Sequence, residues 1–381
     1  MSVALQNLSI GSHQMSAGIS VVIPCYNSSR RLPETLSHLA AQRVPEGVAW
    51  EVIVVNNAST DDTDDVAANV WHGLRSNISF RIVSQPIRGS TAAREKGFDV
   101  ARYNYVLFCD DDNWLSNQYV ANAFSIMHGD PSIGALGGKG SPHFEASPRD
   151  WFQDYSHYYA VGAQGISSGD ITHEKGYVYG AGSLIRKEGW ETLRRHGFQF
   201  LASGRRGTSL SGSEDIELCL ALRLLGYRIW YDERLTFQHC LPEPRLQWPY
   251  FLRLTAGAHE SGVLMVGYKH ALDAASQRDV KASRLHWMSE SARLLKRIGK
   301  LYGQILVAPA PQAEGDSRKV KLERHKAALR GWLKLRSRYA DDVMRLVALG
   351  KKARSEAASA GTMETAPGRT GGHDSGSSSQ G

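Results

Sequence analysis

Three consecutive aspartates, Asp110, Asp111 and Asp112, follow a short apolar run. Like charges a few ångströms apart repel, which raises carboxylate pKa values unless a cation lies among them. Hard oxygen ligands favour Mg²⁺ or Mn²⁺, ions that usually complete their coordination on substrate phosphates. The triplet could instead serve as the acidic first turn of a helix near Ser116, but its place at the end of a strand favours metal. A second acidic pair, Glu214 and Asp215, opens a helical pattern. Ser211 and Glu214 have the spacing of a capping box, which accounts for Glu214 and leaves Asp215 free to act as a base. Asp61, Asp62, Asp64 and Asp65 lie in and just after the first turn of a helix, where the helix dipole accounts for them and no catalysis is assigned.

The elements that must hold these residues alternate strictly. Short β-branched runs at 19–23, 52–55, 80–83 and 105–109 read as strands, with helices expected over 32–41, 60–74 and 91–101 between them. Such alternation builds a mostly parallel sheet covered by helices on both faces. Ligands of such sheets collect at the carboxyl ends of the strands. Those ends carry the polar clusters Pro24-Cys25-Tyr26-Asn27, Asn56-Asn57-Ala58-Ser59 and Asp110 to Asn113. The glycine-dense stretch 134–140 and the aromatic stretch 151–159 break the alternation and predict a less regular second half. There, strands are expected at 177–185, 228–231 and 235–240, with a helix over 214–225. Beyond residue 273 the pattern turns helical and basic, with a loop near 308–317. Residues from 357 have little to bury and predict a disordered tail, as 1–18 predict a disordered start.

Of 381 residues, 42% are hydrophobic and 22% charged, which excludes collagen, a disulfide scaffold and wholesale disorder. Neither a secretory signal nor an apolar run of the roughly 18–20 residues needed to span a membrane is found. The four cysteines form no CxxC pair and sit in apolar stretches, so free thiols in a reducing cytoplasm are expected. The net charge of +7 is uneven, because residues 281–356 hold nineteen Lys or Arg against seven Asp or Glu. That surplus suits a solvated helical face, or contact with nucleic acid, an anionic membrane surface or a phosphorylated substrate. No recognised nucleic-acid motif accompanies it, and nucleic acid is not an expected partner.

In order along the chain, five segments resemble the GT-A glycosyltransferases, specifically the inverting family 2. Residues 19–27, Ile-Ser-Val-Val-Ile-Pro-Cys-Tyr-Asn, look like the family's opening V-S-V-I-I-P-x-Y-N strand. Residues 54–61 resemble V-V-D-[DN]-x-S-x-D, Gly89 with Ala93, Arg94 and Gly97 resembles G-x-x-x-A-R-N-x-G, Asp110 to Asp112 matches D-x-D, and residues 213–218 resemble G-E-D-x-x-L. Each alone is weak; five in order over some 200 residues are specific. The resemblance implies a GT-A domain over 19–245, with a nucleotide half at 19–115 and an acceptor half at 116–245, followed by a helical basic extension over 246–356. It implies that Pro24, Tyr26, Asn27, Asn56, Asn57, Arg94, Asp110 and Asp111 hold a nucleotide-diphosphate sugar, with a UDP-sugar favoured. It further implies that Asp112, Asp110 and His239 hold Mg²⁺ or Mn²⁺, and that Asp215, beside Glu214, deprotonates a hydroxyl acceptor, lipid-linked or polysaccharide. Asn56 stands where the family usually has Asp, and Glu95 replaces the common Asn. The family's processive Q-x-x-R-W motif is not recognisable, since Arg245 precedes Gln247-Trp248. The expected activity is therefore transfer of a single sugar. The alternatives are a sugar-phosphate nucleotidyltransferase and a catalytically silent, basic nucleic-acid-binding protein.

Overall fold

The computed structural model describes residues 16–202, 204, 210, 212–275, 285–308 and 314–364. Expectations for 1–15, Ser211, 309–313 and 365–381 fall outside the described residues. The chain begins as the alternation predicts: β1 (Gly18–Cys25), α1 (Leu32–Ala40), β2 (Ala49–Asn56), α2 (Thr63–Gly73), β3 (Ser79–Ser84), α3 (Ser90–Val100) and β4 (Tyr105–Phe108). These four strands are parallel, in the order β3-β2-β1-β4. Ile19, Val21, Val22 and Ile23 of β1 are fully buried, as befits a central strand covered on both faces. Val22, Ile53 and Phe108 face Phe98 and Trp190 on one side. Val21, Ile23 and Val54 face Leu36 and Trp71 on the other.

The second half is mixed. It continues through β5 (Asn113–Leu115), α4 (Tyr119–Gly129), β6 (Ile133–Phe144), α5 (Phe152–Tyr155), β7 (Gly169–Asp170), β8 (Ser183–Arg186), α6 (Lys187–Arg195), α7 (Glu214–Leu224) and β9 (Arg228–Leu241). The sheet extends as β4-β8-β6-β9-β5, with β7 also on β9. Strand β8 runs antiparallel to both neighbours, whereas β6 and β9 run parallel. Three expectations need correction. The glycine-dense 134–140 lies within strand β6, because its small residues admit close neighbours: a Cβ on Gly138 would lie 2.0 Å from the Leu235 carbonyl oxygen. The two strands expected at 228–231 and 235–240 are one, β9, which spans the bulge in its pairing with β6. Of the strand expected at 177–185, only the end forms, and 177–182 is irregular backbone, with Gly182 at φ 68°.

Five further helices follow: α8 (Trp248–Gly262), α9 (Leu264–Ala275), α10 (His286–Val307), α11 (Ser317–Leu335) and α12 (Tyr339–Glu364). Helix α12 runs past residue 357, where the tail was expected to begin, in keeping with the high helix propensity of its alanines. The extension shares a core with the sheet: Val263, Tyr268 and Leu346 pack in one cluster with Leu218 and Leu222 of α7. A Cβ on Gly331 of α11 would lie 2.4 Å from the Glu260 carbonyl oxygen, so glycine permits α11 to lie directly on α8.

Candidate active site

The carboxyl ends of β1, β2 and β4 open into one cleft of about 670 Å³, closed on the far side by the start of α7 and by the end of β9. Pro24, Tyr26 and Asn57 line its side beside the ends of β1 and β2. Tyr26 is 45% exposed, and the Arg88 guanidinium lies 5.2 Å from its ring centre. Asn57 is a loop clamp as well as a wall. Its amide donates to the Gln85 and Ile87 carbonyls, and its Oδ1 accepts from Gly89 N at 2.7 Å.

Asn27 and Asn56 are not brought to the cleft. Asn27, at φ 50°, accepts from Thr60 N at 2.8 Å. Asn56 accepts from Ser59 N and donates to Asp64. Both brace the turns that follow β1 and β2, the use to which short amides are well suited.

The aspartate triplet divides into three roles. Asp111 turns inward, where the Arg31 fork reaches it at 2.6 and 3.2 Å and Ser28 donates to it. Burial, then the neighbouring Asp112, pushes its carboxyl upward against the pull of Arg31. Asp111 lines the cleft, but its carboxylate is already engaged by these groups of the protein. Asp110 is partly exposed and faces Arg94 at 3.8 Å. Asp112 is buried between Arg245, at 2.8 Å, and His239 Nε2, at 3.5 Å. Burial alone would raise the Asp112 pKa, but Arg245 and then His239 hold it well below the usual carboxylate range.

His239 Nδ1 lies 2.6 Å from the Tyr159 carbonyl oxygen, which can only accept, so Nδ1 carries a proton, and Nε2 faces Asp112 and Arg245. A backbone acceptor on the second ring nitrogen is the arrangement that orients metal-binding histidines. Among the described residues no three His, Cys, Asp or Glu side chains form a ready cage. Asp112 and His239 nevertheless fit an ion that takes one or two protein ligands and the remainder from a diphosphate. Asp110, turned to Arg94, is not gathered with them.

Across the cleft, Asp215 sits in the first turn of α7. Its Oδ2 accepts from Gly180 N at 2.7 Å and its Oδ1 from Ile216 N at 2.8 Å. Burial and the adjacent Glu214 raise its pKa, and Arg94 opposes them. A carboxylate so fixed, with its affinity for a proton increased, is equipped to act as a general base. Glu214 is instead engaged: it accepts from Ser90 Oγ at 2.6 Å and Ser213 N at 3.0 Å, tying α7 to α3. Buried Arg94 links the two sides, with Glu214, Asp110 and Asp215 all favouring its charge. Gly180 makes room for it, since a Cβ there would lie 2.5 Å from the guanidinium.

Several lining residues escaped the sequence reading. Arg245 lies only six residues beyond His239, but nothing in its neighbours marks it as the partner of Asp112. Tyr158, Tyr177, Tyr179 and, from the extension, Arg324 line the side of Asp215. The density of aromatics at 151–159 was the available signal for the first, whereas Arg324 lies far along the chain in a run of similar charges.

Residues 20–193 match the family described as Glycosyl transferase family 2. The chain is 25% identical over 250 residues to a poly-beta-1,6-N-acetyl-D-glucosamine synthase of Staphylococcus epidermidis, which covers 65% of this chain and 56% of that protein. A synthase of the same name from Staphylococcus aureus is 25% identical over 245 residues, 64% of this chain and 55% of that one. The chain thus spans a little over half the length of the curated relatives it matches. Among solved structures it is similar to a mannosyltransferase from Pyrobaculum calidifontis in complex with GDP-Man and Mn²⁺, at 18% identity and a TM-score of 0.48, covering 88% of this chain and 86% of that one. It is also similar to residues 1–349 of S. aureus TarS, at 17% identity and a TM-score of 0.43, covering 90% and 92%.

Proposed function

We propose, from the match of residues 20–193 to Glycosyl transferase family 2, that the chain is a glycosyltransferase of that family and moves one sugar from a nucleotide-diphosphate donor to a hydroxyl acceptor with inversion. The observation that carries this reading is Asp215, whose carboxylate is aimed into the cleft by two backbone N–H groups opposite the Asp112–His239 pair. The acceptor oxygen attacks the anomeric carbon as the bond from that carbon to the diphosphate breaks. The bonding pair leaves on the phosphate oxygen, and the acceptor's proton passes to Asp215. Tyr26 and Arg88 offer a flat face to the nucleoside base, and Arg94 lies between the leaving group and the base. Asp112 and His239 would hold Mn²⁺ or Mg²⁺, which when bound neutralises charge on the departing diphosphate. Glu214 positions α7 and has no part in proton transfer.

A single transfer per encounter fits the fate of the residues nearest a processive motif. Arg245 is held by Asp112, and Trp248 is packed against Trp151 and Phe251. The curated relatives are named as synthases of a polysaccharide, which supports a saccharide acceptor destined for the cell surface. A nucleotidyltransferase is disfavoured by the turn after β1. The Asn27, Ser28 and Ser29 N–H groups that could cradle phosphates are all committed, to Ser59, Thr63 and Asp61. The nucleic-acid-binding alternative finds no support.

No described helix is long and apolar enough to cross a membrane. Peripheral contact with an anionic leaflet is supported by α10, which buries Leu294 and Leu301 but presents Met288, Leu295, Tyr302 and Leu306 along one exposed stripe. Arg293, Lys296, Arg297 and Lys300 form the adjacent stripe. Apolar and basic stripes side by side suit the membrane interface. Slow hydrolysis of the donor in a panel of nucleotide sugars with Mn²⁺ or Mg²⁺ tests the transferase reading without knowledge of the acceptor. Absence of cleavage across the panel would defeat it.

A further inference from the structure

Four arginines of the cleft are accounted for. Arg31 is paired with Asp111, Arg94 faces Asp110, Arg245 holds Asp112, and Arg88 lies against Tyr26. Arg324, from α11, differs. Among the described residues no carboxylate lies within ion-pair distance of it, and its Nε donates instead to another nitrogen base, His259 Nε2, at 2.8 Å. His259 can accept that bond only as the neutral ring. Its Nδ1 lies 2.9 Å from the Thr255 carbonyl oxygen, which accepts from the Nδ1–H and leaves Nε2 as the acceptor for Arg324. Burial, with Arg324 and other cations nearby, depresses the His259 pKa and keeps the ring neutral.

The guanidinium is therefore fixed at one edge, with its two terminal nitrogens left as a free fork. Its carbon lies 5.6 Å from the Tyr158 ring centre, over a wall of the cleft. The surroundings are basic. His157 is depressed by burial, by Arg324 and by Lys175. Lys175 itself, 3.5 Å from the Tyr179 ring centre, is pushed down to about 8 by burial, with Asp215 opposing. Keeping a partly buried arginine among other basic groups without a carboxylate is costly unless a ligand supplies the anion.

Tyr158, under the Arg324 guanidinium, and Tyr177, close to both Tyr158 and Asp215, connect this group to Asp215 along the cleft lining. We propose that the acceptor carries an anionic group, phosphate or carboxylate, which the Arg324 fork holds so that a neighbouring hydroxyl reaches Asp215. A planar guanidinium with two parallel N–H donors matches either anion bidentately. His259 is a positioning residue that sets the fork's direction. The helical extension thereby contributes a binding group to the site. This assignment rests on the transferase reading for the word acceptor, but its anion site can be measured apart from it.

The experiment titrates two anionic probes, glycerol 3-phosphate and glucuronate, into the full chain already saturated with Mn²⁺ and a nucleoside diphosphate that it binds. Glycerol and glucose are the uncharged matches. The expected result is that at least one anionic probe binds more tightly than its match, with phosphate or carboxylate preferred according to the true source. Arg324→Gln, which keeps the length and a donor, should weaken that binding about tenfold or more. Arg324→Lys should be intermediate, and nucleotide affinity should be unchanged in both. Three results overturn the proposal: anionic probes that bind no better than their matches, an Arg324→Gln chain that binds them as the wild type does, or a loss of nucleotide affinity in that variant, which would place Arg324 in the donor site. Failure of the wild type to cleave any nucleotide sugar would defeat the transferase reading, while the anion titration would still report on Arg324.

Discussion

The Arg245 guanidinium lies 2.8 Å from the Asp112 carboxylate, so the aspartate proposed to hold a divalent ion already neutralises a cation of the protein. This pairing gives Asp112 two duties that one substitution separates. Asp112→Asn should abolish transfer and remove the metal dependence of nucleotide diphosphate binding. It should also lower stability by about 1.5–3 kcal/mol, because Arg245 loses its charged partner. Nucleotide affinity measured with and without Mn²⁺, alongside thermal melting, checks both. Normal metal-dependent affinity in the variant would show that Asp112 is not a ligand.

The raised pKa of Asp215 has a definite consequence for rate against pH. A general base works only when deprotonated, so a raised pKa moves the acid limb of the profile to higher pH than an ordinary Asp, at about 3.9, would give. Arg94 opposes that rise, so Arg94→Met should shift the acid limb of kcat higher still. A limb that stays in the ordinary carboxylate range in both proteins would show that Asp215 does not control the rate.

Glu217 offers a test of stability against pH. It is fully buried, accepts from Leu201 N, Ala202 N and Tyr268 Oη, and is pushed up to about 7 by burial, against those three hydrogen bonds. Between its unfolded pKa, near 4.3, and 7 the folded chain binds the extra proton. This contribution to stability is therefore full below about 4.3, declines as pH rises through 7, and is level above that. Glu217→Gln should remove this part of the slope whatever its own melting temperature. Parallel slopes for the two proteins from pH 4.5 to 7 would contradict the assignment.

Much of this was readable from local pattern. The β-branched runs and their helices announced the parallel half, because a strand buried on both faces leaves an unbroken apolar signature. The second half was less legible because glycines were the obstacle. In β6 they admit the close approach of Leu235, a tertiary demand that propensity does not register. Asp110, Asp112, Asp215 and His239 were marked by type and position. The inward turn of Asp111 was not, because only the fold brings Arg31 and Ser28 beside it. Asn27 and Asn56 resembled ligands, yet they hold turns, a use that leaves the same residues at the same strand ends. Arg245 and Arg324 became visible only through their partners in space.

The exposed stripe of α10 can be altered without touching the core. Leu295 and Leu306 are 58% and 79% exposed, so Leu295→Gln with Leu306→Gln should leave melting unchanged. It should also reduce sedimentation with anionic vesicles at low salt, while neutral vesicles recover little of either protein. Equal recovery of the wild type with anionic and neutral vesicles would remove membrane contact from the account.

The central claim is that Asp215 takes the acceptor's proton, and Asp215→Asn tests it most directly. Asn serves nearly as well as Asp near a helix start, so the fold should hold. The amide cannot accept the proton, and the transfer rate should fall about 10² to 10⁴-fold. Donor affinity should stay near wild type, since the base acts in the transition state more than in the ground state. The measurement is transfer rate and nucleotide affinity on one purified sample of the variant. The account predicts normal affinity with transfer all but lost; a variant that keeps more than about a tenth of the wild-type rate would contradict it.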